Sequence, residues 1–253
     1  MREIQFKSRK SGTLLRGRFI ETSTQIAKKP LVIMLTGDGP KGSKSLSWVN
    51  MPPILEKIGI SSFLFDFEGL GYSEGNRRTL SLSVAIDNFS SAFDVVKKEK
   101  WVDKRRIGAF ASSFGATVLL LVPKVANQLK AIGLKSPATF IADAYYKEIG
   151  SKLFDRWRKE GYIDDNGYDF NIFLDALRYN PYKKAMSIRT PCLITQGDSD
   201  EIIDLQHSIY LYECLNSVNK RIEIFKGASH GYSEGNSWDR MAAMFVDWFS
   251  ENL

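Results

Sequence analysis

Short apolar runs alternate with amphipathic stretches along most of the chain. Residues 2–7 and 13–20 alternate apolar and polar positions around a Ser-Gly pair, which predicts an antiparallel hairpin. The continuous apolar run at residues 31–35 predicts a strand buried on both faces. Further strands are predicted over residues 60–67, 106–111, 130–135, 191–195 and 221–226. Helical periodicity predicts helices over residues 46–58, 81–100, 114–127, 204–215 and 237–251. The alternation predicts an α/β fold in which helices flank a mostly parallel central sheet.

Two prolines fall within the first predicted helix. Pro52 and Pro53 lie near the middle of residues 46–58. Proline removes a backbone N–H that an interior helical turn needs. We therefore expect this helix to be disturbed at its centre.

Residues 140–186 break the alternation and are rich in aromatic and charged side chains. We interpret them as a helical cap or lid inserted into a single domain that spans residues 1–253. The aromatic side chains either bind an apolar or aromatic group of a substrate or pack the cap onto the sheet. They are Phe140, Tyr145, Tyr146, Phe154, Trp157, Tyr162, Tyr168, Phe170, Phe173, Tyr179 and Tyr182.

Composition excludes two classes of protein. Hydrophobic residues make up 43% and charged residues 25% of the 253 positions, which is too apolar for a disordered chain. The longest apolar run, residues 241–246, is far shorter than the roughly 20 residues of a membrane-spanning helix. The N-terminus lacks the apolar stretch of a secretory signal. Cys192 and Cys214 form neither a metal-type cluster nor a disulfide framework, so we expect a cytoplasmic protein.

The net charge of +6 is concentrated at the N-terminus. Residues 1–30 carry eight Lys or Arg and two Glu, so 8 − 2 = +6 and the remaining chain is neutral. A basic strip of this kind can meet nucleic acid. No nucleic-acid motif or aromatic interleaving accompanies it, and we interpret the strip as a solvated edge with no nucleic-acid partner.

The most informative segment is IGAFASSFGA, residues 107–116. It runs from an apolar strand into an apolar helix through small-x-Ser-x-small, the pattern of a nucleophile elbow. Ser113 has small residues two positions before and after it, whereas Ser112 has phenylalanine at both places. Ser113 is therefore the candidate nucleophile, and a helix N-cap is its alternative role.

A serine nucleophile needs a base, and the chain has two histidines. His207 falls within the predicted helix 204–215, where a solvated or packed side chain is expected. His230 follows the predicted strand 221–226, in a loop at the carboxyl edge of the sheet, where open α/β folds place their sites. We predict that His230 is the base.

Three aspartates after the predicted strand 191–195 compete as the acid that orients the histidine. Asp204 is placed to begin the next helix as an N-cap. Asp198 follows a glycine turn and is placed to bond loop backbone. Asp200 is far enough from the strand to turn toward a neighbouring loop, and it is our candidate.

The order Ser113, Asp200, His230 resembles that of the α/β-hydrolase fold family. Four further segments are similar to family motifs, and together the likeness covers about residues 30–250. TGDG at 36–39 resembles the oxyanion loop, and DFEGLGYSEG at 66–75 resembles Asp-x-Arg-Gly-x-Gly-x-Ser-x-Gly. Residues 190–200 resemble the family's Pro-x-Leu-x-x-x-Gly-x-x-Asp acid loop, which also selects Asp200. Residues 227–230 resemble its Gly-x-x-His ending.

The resemblance implies a serine hydrolase that cleaves a carboxylic ester, or a related acyl bond, of a small-molecule acyl substrate. It implies no metal or organic cofactor, and backbone N–H groups of Phe114 and Asp38 as oxyanion donors. We expect the Asp38 carboxylate to point away from the oxyanion. A thioesterase or a small-peptide aminopeptidase on the same fold is an alternative, and a non-catalytic binding protein is another. The sequence leaves the acyl group and the oligomeric state open.

Overall fold

The central sheet has eight strands, seen in a computed structural model that describes residues 1–164 and 167–253. They are β1 (Arg2–Lys7), β2 (Leu14–Ile20), β3 (Lys29–Leu35), β4 (Ser61–Phe65), β5 (Val102–Ser112), β6 (Ala131–Lys135), β7 (Cys192–Gly197) and β8 (Lys220–Phe225). Their order is β1-β2-β4-β3-β5-β6-β7-β8. The β1–β2 hairpin pairs antiparallel with β4, and all later pairings are parallel. The predicted α/β architecture is confirmed.

Helices cover both faces of this sheet. They are α1 (Leu46–Lys57), α2 (Leu82–Lys98), α3 (Phe114–Leu120), α4 (Pro123–Ala126), α5 (Ile141–Ile149), α6 (Ser151–Glu160), α7 (Phe170–Ala176), α8 (Pro181–Ala185), α9 (Leu205–Cys214) and α10 (Ser237–Asn252). Short 3₁₀ turns occur at Gly42–Lys44 and Arg77–Thr79. Among the described residues, none of the helices combines the length and apolar character needed to cross a membrane.

Strand β3 shows why the sheet needs both layers. Leu31, Ile33 and Leu35 pack into the core beneath α2, α3 and α9, whereas Val32 and Met34 pack into the core beneath α1 and α10. Successive side chains of a strand point to opposite faces, so a run of five apolar residues must be covered twice.

Helix α1 runs unbroken through Pro52 and Pro53, so the expected disturbance is wrong. Because the two prolines lack a backbone N–H, the helix forms fewer backbone hydrogen bonds. The helix nevertheless buries Trp48, Met51 and Leu55 against the sheet, and this apolar burial stabilises it.

The predicted helix 114–127 is two helices, α3 and α4. Helix α3 ends at Leu120, and Pro123 occupies the first turn of α4. Proline is tolerated in a first turn because the N–H it lacks has no helical partner there. In a continuous helix its ring would clash with the carbonyl four residues earlier, which explains the break.

Residues 140–186, called the insert below, carry α5 to α8 between β6 and β7. Four of its aromatic rings contact one another with centroids 4.9–6.1 Å apart. They are Phe154, Trp157, Phe170 and Phe173. Trp157 belongs to the core cluster on one face of the sheet and the other three rings pack against that cluster, as expected if the aromatic side chains pack the insert onto the sheet. The division of the chain into one domain with a cap stays a prediction.

Candidate active site

Ser113 occupies the sharp turn between β5 and α3. Its backbone has φ +50° and ψ −118°, a conformation that L-residues adopt at an energetic cost. The Ser113 N–H donates to the Lys135 carbonyl oxygen of β6 at 3.1 Å, which ties the turn to the sheet. The Ser113 side chain makes no helix-capping hydrogen bond, so the N-cap alternative does not describe it.

The small residue two positions after Ser113 is required by the backbone of β3. A Cβ atom on Gly115 would lie 2.4 Å from the Thr36 carbonyl oxygen and 2.5 Å from that of Leu35. Neither contact can relax through a flexible side chain. The elbow therefore needs glycine at position 115 to bring α3 this close to the sheet.

His230 and Asp200 are hydrogen-bonded. The His230 Nδ1 lies 2.8 Å from Asp200 Oδ2. The side chain of Asp200 is 1% exposed and that of His230 is 17% exposed, so the ring faces the surface of the site and the carboxylate lies behind it. The two residues come from the loops after β7 and β8, which meet because these strands are adjacent and parallel.

Three donors besides His230 hold the Asp200 carboxylate. The Gln196 amide donates to Oδ2 at 2.8 Å, and the backbone N–H groups of Ile202 and Ile203 donate to Oδ1 at 3.0 and 2.8 Å. Burial alone would raise the pKa of Asp200, but the hydrogen bond and charge of His230 and these backbone donors outweigh it and lower the pKa. Asp200 is therefore held as a carboxylate. The sequence analysis did not identify Gln196 as a site residue, although an amide side chain in an otherwise apolar buried strand indicates a specific polar contact.

The competing aspartates make other contacts. Asp198 Oδ1 accepts the Gly227 N–H at 2.6 Å, which bonds loop backbone as proposed for it. Asp204 precedes α9 but makes no side-chain capping bond, and its carboxylate instead pairs with Lys147 of the insert.

His207 lies buried in α9. Its Nε2 is 3.1 Å from Asp143 Oδ2, and its Nδ1 accepts the Phe140 N–H at 3.4 Å. Both ring nitrogens therefore connect α9 to the start of the insert, in keeping with a packed role.

Ser113 and His230 line one cavity of about 710 Å³. Among the described residues Ser113 Oγ makes no hydrogen bond to the imidazole, and such contacts in ligand-free enzymes commonly tighten only when substrate binds. Of the aromatic residues of the insert, Tyr145 and Tyr168 line the cavity, together with aliphatic Ile149 and other side chains. Most of the insert's aromatic side chains therefore do not line the cavity in which a substrate would bind.

Several backbone N–H groups at this cavity donate no hydrogen bond to any described residue, and two of them bear on the proposed chemistry. One is Phe114 N–H, in the first turn of α3, where helical partners are absent. The other is Asp38 N–H, in the loop after β3. They are the two groups that the family resemblance assigns to an oxyanion, and that role stays a prediction.

The Asp38 loop is fixed by side chains that the sequence did not single out. The backbone carbonyl of Asp38 accepts the Tyr168 hydroxyl at 2.7 Å and Arg77 Nε at 3.2 Å. The Tyr145 hydroxyl donates to Asp38 Oδ2 at 3.2 Å, so the carboxylate is engaged by the insert. Burial and the nearby Asp38 charge raise the pKa of both tyrosines, which keeps each hydroxyl protonated as a donor.

Two more charged groups lie at the cavity. Lys135 Nζ donates to the His230 carbonyl oxygen at 2.7 Å. Burial lowers the pKa of Lys135 to about 8, partly offset by Asp200 and Glu201. Glu148 lines the cavity from α5, and burial followed by the Asp38 charge raises its pKa, against the effect of Arg77 and His230.

The eight-stranded, mostly parallel sheet with helices on both faces places the chain in the α/β-hydrolase fold. Solved structures share the architecture. Est1E from Butyrivibrio proteoclasticus with bound ferulic acid superposes with a TM-score of 0.87 at 20% identity, over 98% of each chain. A monoacylglycerol lipase from Paleococcus ferrophilus superposes with a TM-score of 0.72 at 19% identity, over 94% of this chain and 99% of that one.

Within that class, the chain belongs to the prolyl oligopeptidase family, whose model matches residues 65–253. It is 28% identical to the uncharacterized protein YfhR of Escherichia coli K12 over 223 residues, which are 87% of this chain and 70% of that protein. It is 24% identical to the acylamino-acid-releasing enzyme of Rattus norvegicus over 235 residues. That match covers 88% of this chain and 31% of the rat enzyme. Family membership supports hydrolase activity of the serine-hydrolase type.

Proposed function

We propose that the protein hydrolyses a carboxylic ester, or a related acyl bond, of a small molecule through Ser113, His230 and Asp200. One observation carries the proposal: a histidine hydrogen-bonded at 2.8 Å to a buried carboxylate shares a cavity with a serine on a strained strand-to-helix turn. No cofactor enters the mechanism, because the serine, base and acid together supply acyl transfer.

Acylation begins at Ser113. His230 Nε2 accepts the hydroxyl proton while Oγ attacks the carbonyl carbon, and the carbonyl π-electrons move onto oxygen. Asp200 keeps the other proton on Nδ1 and stabilises the imidazolium. When the tetrahedral intermediate collapses, the imidazolium proton passes to the leaving alkoxide, and an alcohol departs. Water, deprotonated by His230, then attacks the acyl-enzyme and releases the carboxylic acid and free Ser113.

The tetrahedral oxyanion would accept hydrogen bonds from the backbone N–H groups of Phe114 and Asp38. Losing one such preorganised donor typically raises a barrier by about 2.7–4 kcal/mol. The contacts of Tyr168 and Arg77 with the Asp38 carbonyl orient the loop that presents the second donor.

A second candidate function is cleavage of an amide bond in a small peptide. The observation that favours it is membership of the prolyl oligopeptidase family, supported by the likeness to acylamino-acid-releasing enzymes. The same three residues would serve, with the imidazolium proton passing to a leaving amine. Thioester cleavage stays a further alternative on this fold.

The remaining parts of the proposal concern the role of the insert and the location of the protein in the cell. We take the insert as a cap over the cavity because Tyr145 and Tyr168 reach the Asp38 loop from it. We also keep the cytoplasm as the proposed location, since Cys192 and Cys214 are both free thiols.

Fluorophosphonate labelling, read by intact mass and peptide mapping, tests the proposal. We expect one adduct at Ser113, absent in Ser113→Ala and retained in Ser112→Ala. An adduct at Ser112 would reassign the nucleophile. No adduct and no turnover by folded protein would favour the binding-protein alternative. A p-nitrophenyl ester, a thioester and a p-nitroanilide of one common acyl group then rank the bond classes, and the highest kcat/KM identifies the preferred bond.

A further inference from the structure

Lys135 lies between the two segments that carry Ser113 and His230. Its backbone carbonyl accepts the Ser113 N–H at 3.1 Å, and its Nζ donates to the His230 carbonyl oxygen at 2.7 Å. One residue at the carboxyl end of β6 therefore contacts the proposed nucleophile and the proposed base through different atoms.

Packing does not account for a lysine here. The residue is 5% exposed, and the rest of β6 is alanine, isoleucine, glycine and leucine. Within the described part of the chain Lys135 forms no ion pair, and its ammonium contacts a carbonyl instead. Burying a cation without a paired anion costs free energy that an apolar side chain of similar volume would avoid. A function other than stability explains its presence best.

The His230 loop is held at several points. The His230 N–H donates to Glu201 Oε2 at 3.2 Å, and the ring contacts Asp200. Two residues further along, Tyr232 adopts a φ of +58°, and its ring centroid lies 5.0 Å from Lys135 Nζ. In the described part of the chain, the titratable groups near Nζ are Asp200 and Glu201 after β7, and His230 and Tyr232 after β8. Glu148 of α5 lines the same cavity and faces His230 from the insert. Only Lys135 holds the His230 carbonyl among the described residues.

We propose that Lys135 is a positioning residue, whose ammonium fixes the His230 backbone and thereby aims the imidazole at Ser113. The inference rests on the proposed function, because it assigns a support to the base of that reaction. An imidazole displaced by about 1 Å from its productive position can lose about 10²-fold in rate.

The protonated ammonium is the form that holds His230 most strongly, because a charged donor makes a stronger hydrogen bond than a neutral one. Since burial lowers the pKa of Lys135 to about 8, this support weakens at mildly alkaline pH. Burial raises the pKa of Tyr232, so its hydroxyl does not lose a proton in the same range. Arginine at position 135 would keep its charge throughout.

The test compares Lys135→Met, Lys135→Arg and the control Lys130→Met, which makes the same change at an exposed position just before β6. We expect Lys135→Met to lower kcat and the fluorophosphonate inactivation rate about 10- to 100-fold at pH 7, with KM changed less than about threefold. Lys135→Arg should retain most of the rate and remove the alkaline decline of the wild type above pH 8. Lys130→Met should behave as the wild type.

A readout independent of turnover separates this inference from the proposed function. With two histidines in the chain, NMR of histidine-labelled protein resolves His230 once His207→Asn identifies the other signal. Lys135→Met should shift the His230 signals and leave those of His207 in place. Unmoved His230 signals, or a kcat per labelled site equal to wild type, would overturn the positioning role. If Lys135→Met does not fold, an alkaline decline that persists in Lys135→Arg overturns it. Absence of a Ser113 adduct in the wild type instead overturns the proposed function.

Discussion

The Tyr168 hydroxyl donates a 2.7 Å hydrogen bond to the backbone carbonyl of Asp38. The contact joins two segments 130 residues apart, one in the insert and one in the loop after β3. The Arg77 guanidinium stacks 4.0 Å from the Tyr168 ring centroid and donates to the same carbonyl, so the tyrosine is itself held in place. The insert therefore helps to set the conformation of the loop that presents the Asp38 N–H.

We predict that Tyr168→Phe lowers kcat about tenfold with little change in KM. The variant keeps the buried ring and removes a hydrogen bond of about 1 kcal/mol, which loosens the loop beside the oxyanion. Steady-state kinetics with the best ester substrate measures the effect. The matched control is Tyr146→Phe, since Tyr146 is exposed on the same insert and, among the described residues, its ring contacts only the ring of Phe154. Equal kinetics for the two variants would contradict the prediction.

Replacing Asp200 by asparagine should lower kcat by about 10⁴-fold, the magnitude typical of an orienting aspartate whose loss favours the wrong imidazole tautomer. Asp198→Asn is the control, because Asp198 lies in the same loop as Asp200, but its carboxylate accepts the Gly227 N–H of the loop after β8 and not a hydrogen bond from His230. Single-turnover acylation measures both. A comparable loss in Asp198→Asn would show that the loop conformation, rather than the His230 contact, carries the effect.

The lowered pKa of Asp200 predicts that the free energy of unfolding depends on pH. Its pKa is lower in the folded protein than the roughly 3.9 of an unfolded chain. The ionised carboxylate therefore stabilises the fold above about pH 4, and this contribution is lost as pH falls through the lower folded value. The free energy of unfolding of the wild type should exceed that of Asp200→Asn by about 1–2 kcal/mol at pH 6.

Denaturant unfolding at several pH values measures that difference, which should shrink below pH 4. Asp155→Asn provides the baseline, because Asp155 forms an exposed pair with Arg158. A gap between wild type and Asp200→Asn that is constant from pH 6 to pH 3 would count against a stabilising carboxylate.

Gly115→Ala should destabilise the fold by about 1–3 kcal/mol or prevent folding. Its methyl group would meet carbonyl oxygens of Thr36 and Leu35, which are backbone atoms of the β3 end and its loop. Gly231→Ala is the control, because nothing lies within 4 Å of a Cβ at that position. Thermal unfolding compares the two variants. Equal melting temperatures would mean that α3 can move away from β3 at little cost.

The sheet was predictable because its signal is local. A run such as residues 31–35 is short and apolar at every position, which is typical of a strand covered on both faces. The boundaries of the helices were harder to predict from the sequence than the strands. At Pro52 tertiary burial overrides the local preference of proline, whereas at Pro123 the local preference prevails. The sequence alone does not show which of the two will decide.

For the site, the position of each residue after a predicted strand, together with the acid-loop and Gly-x-x-His motifs, selected two residues that the fold brings together, Asp200 and His230. The residues that support them were not predictable in the same way. Tyr168, Gln196 and Lys135 act through contacts with backbone or with a second side chain. Such contacts depend on which loops become neighbours, and no short motif encodes them.

The hydroxyl contacts of Tyr145 and Tyr168 have a consequence for protein engineering. Exchanging the insert for that of a relative would be the natural way to alter substrate range. Such a chimera would also delete two of the three side-chain donors that hold the Asp38 loop and would keep that of Arg77, so we expect turnover to fall for every substrate, including those that fit the new pocket. On the proposed role of the Asp38 loop, substrate range and turnover rate are coupled in this protein, and a successful graft must bring replacement donors to the same loop.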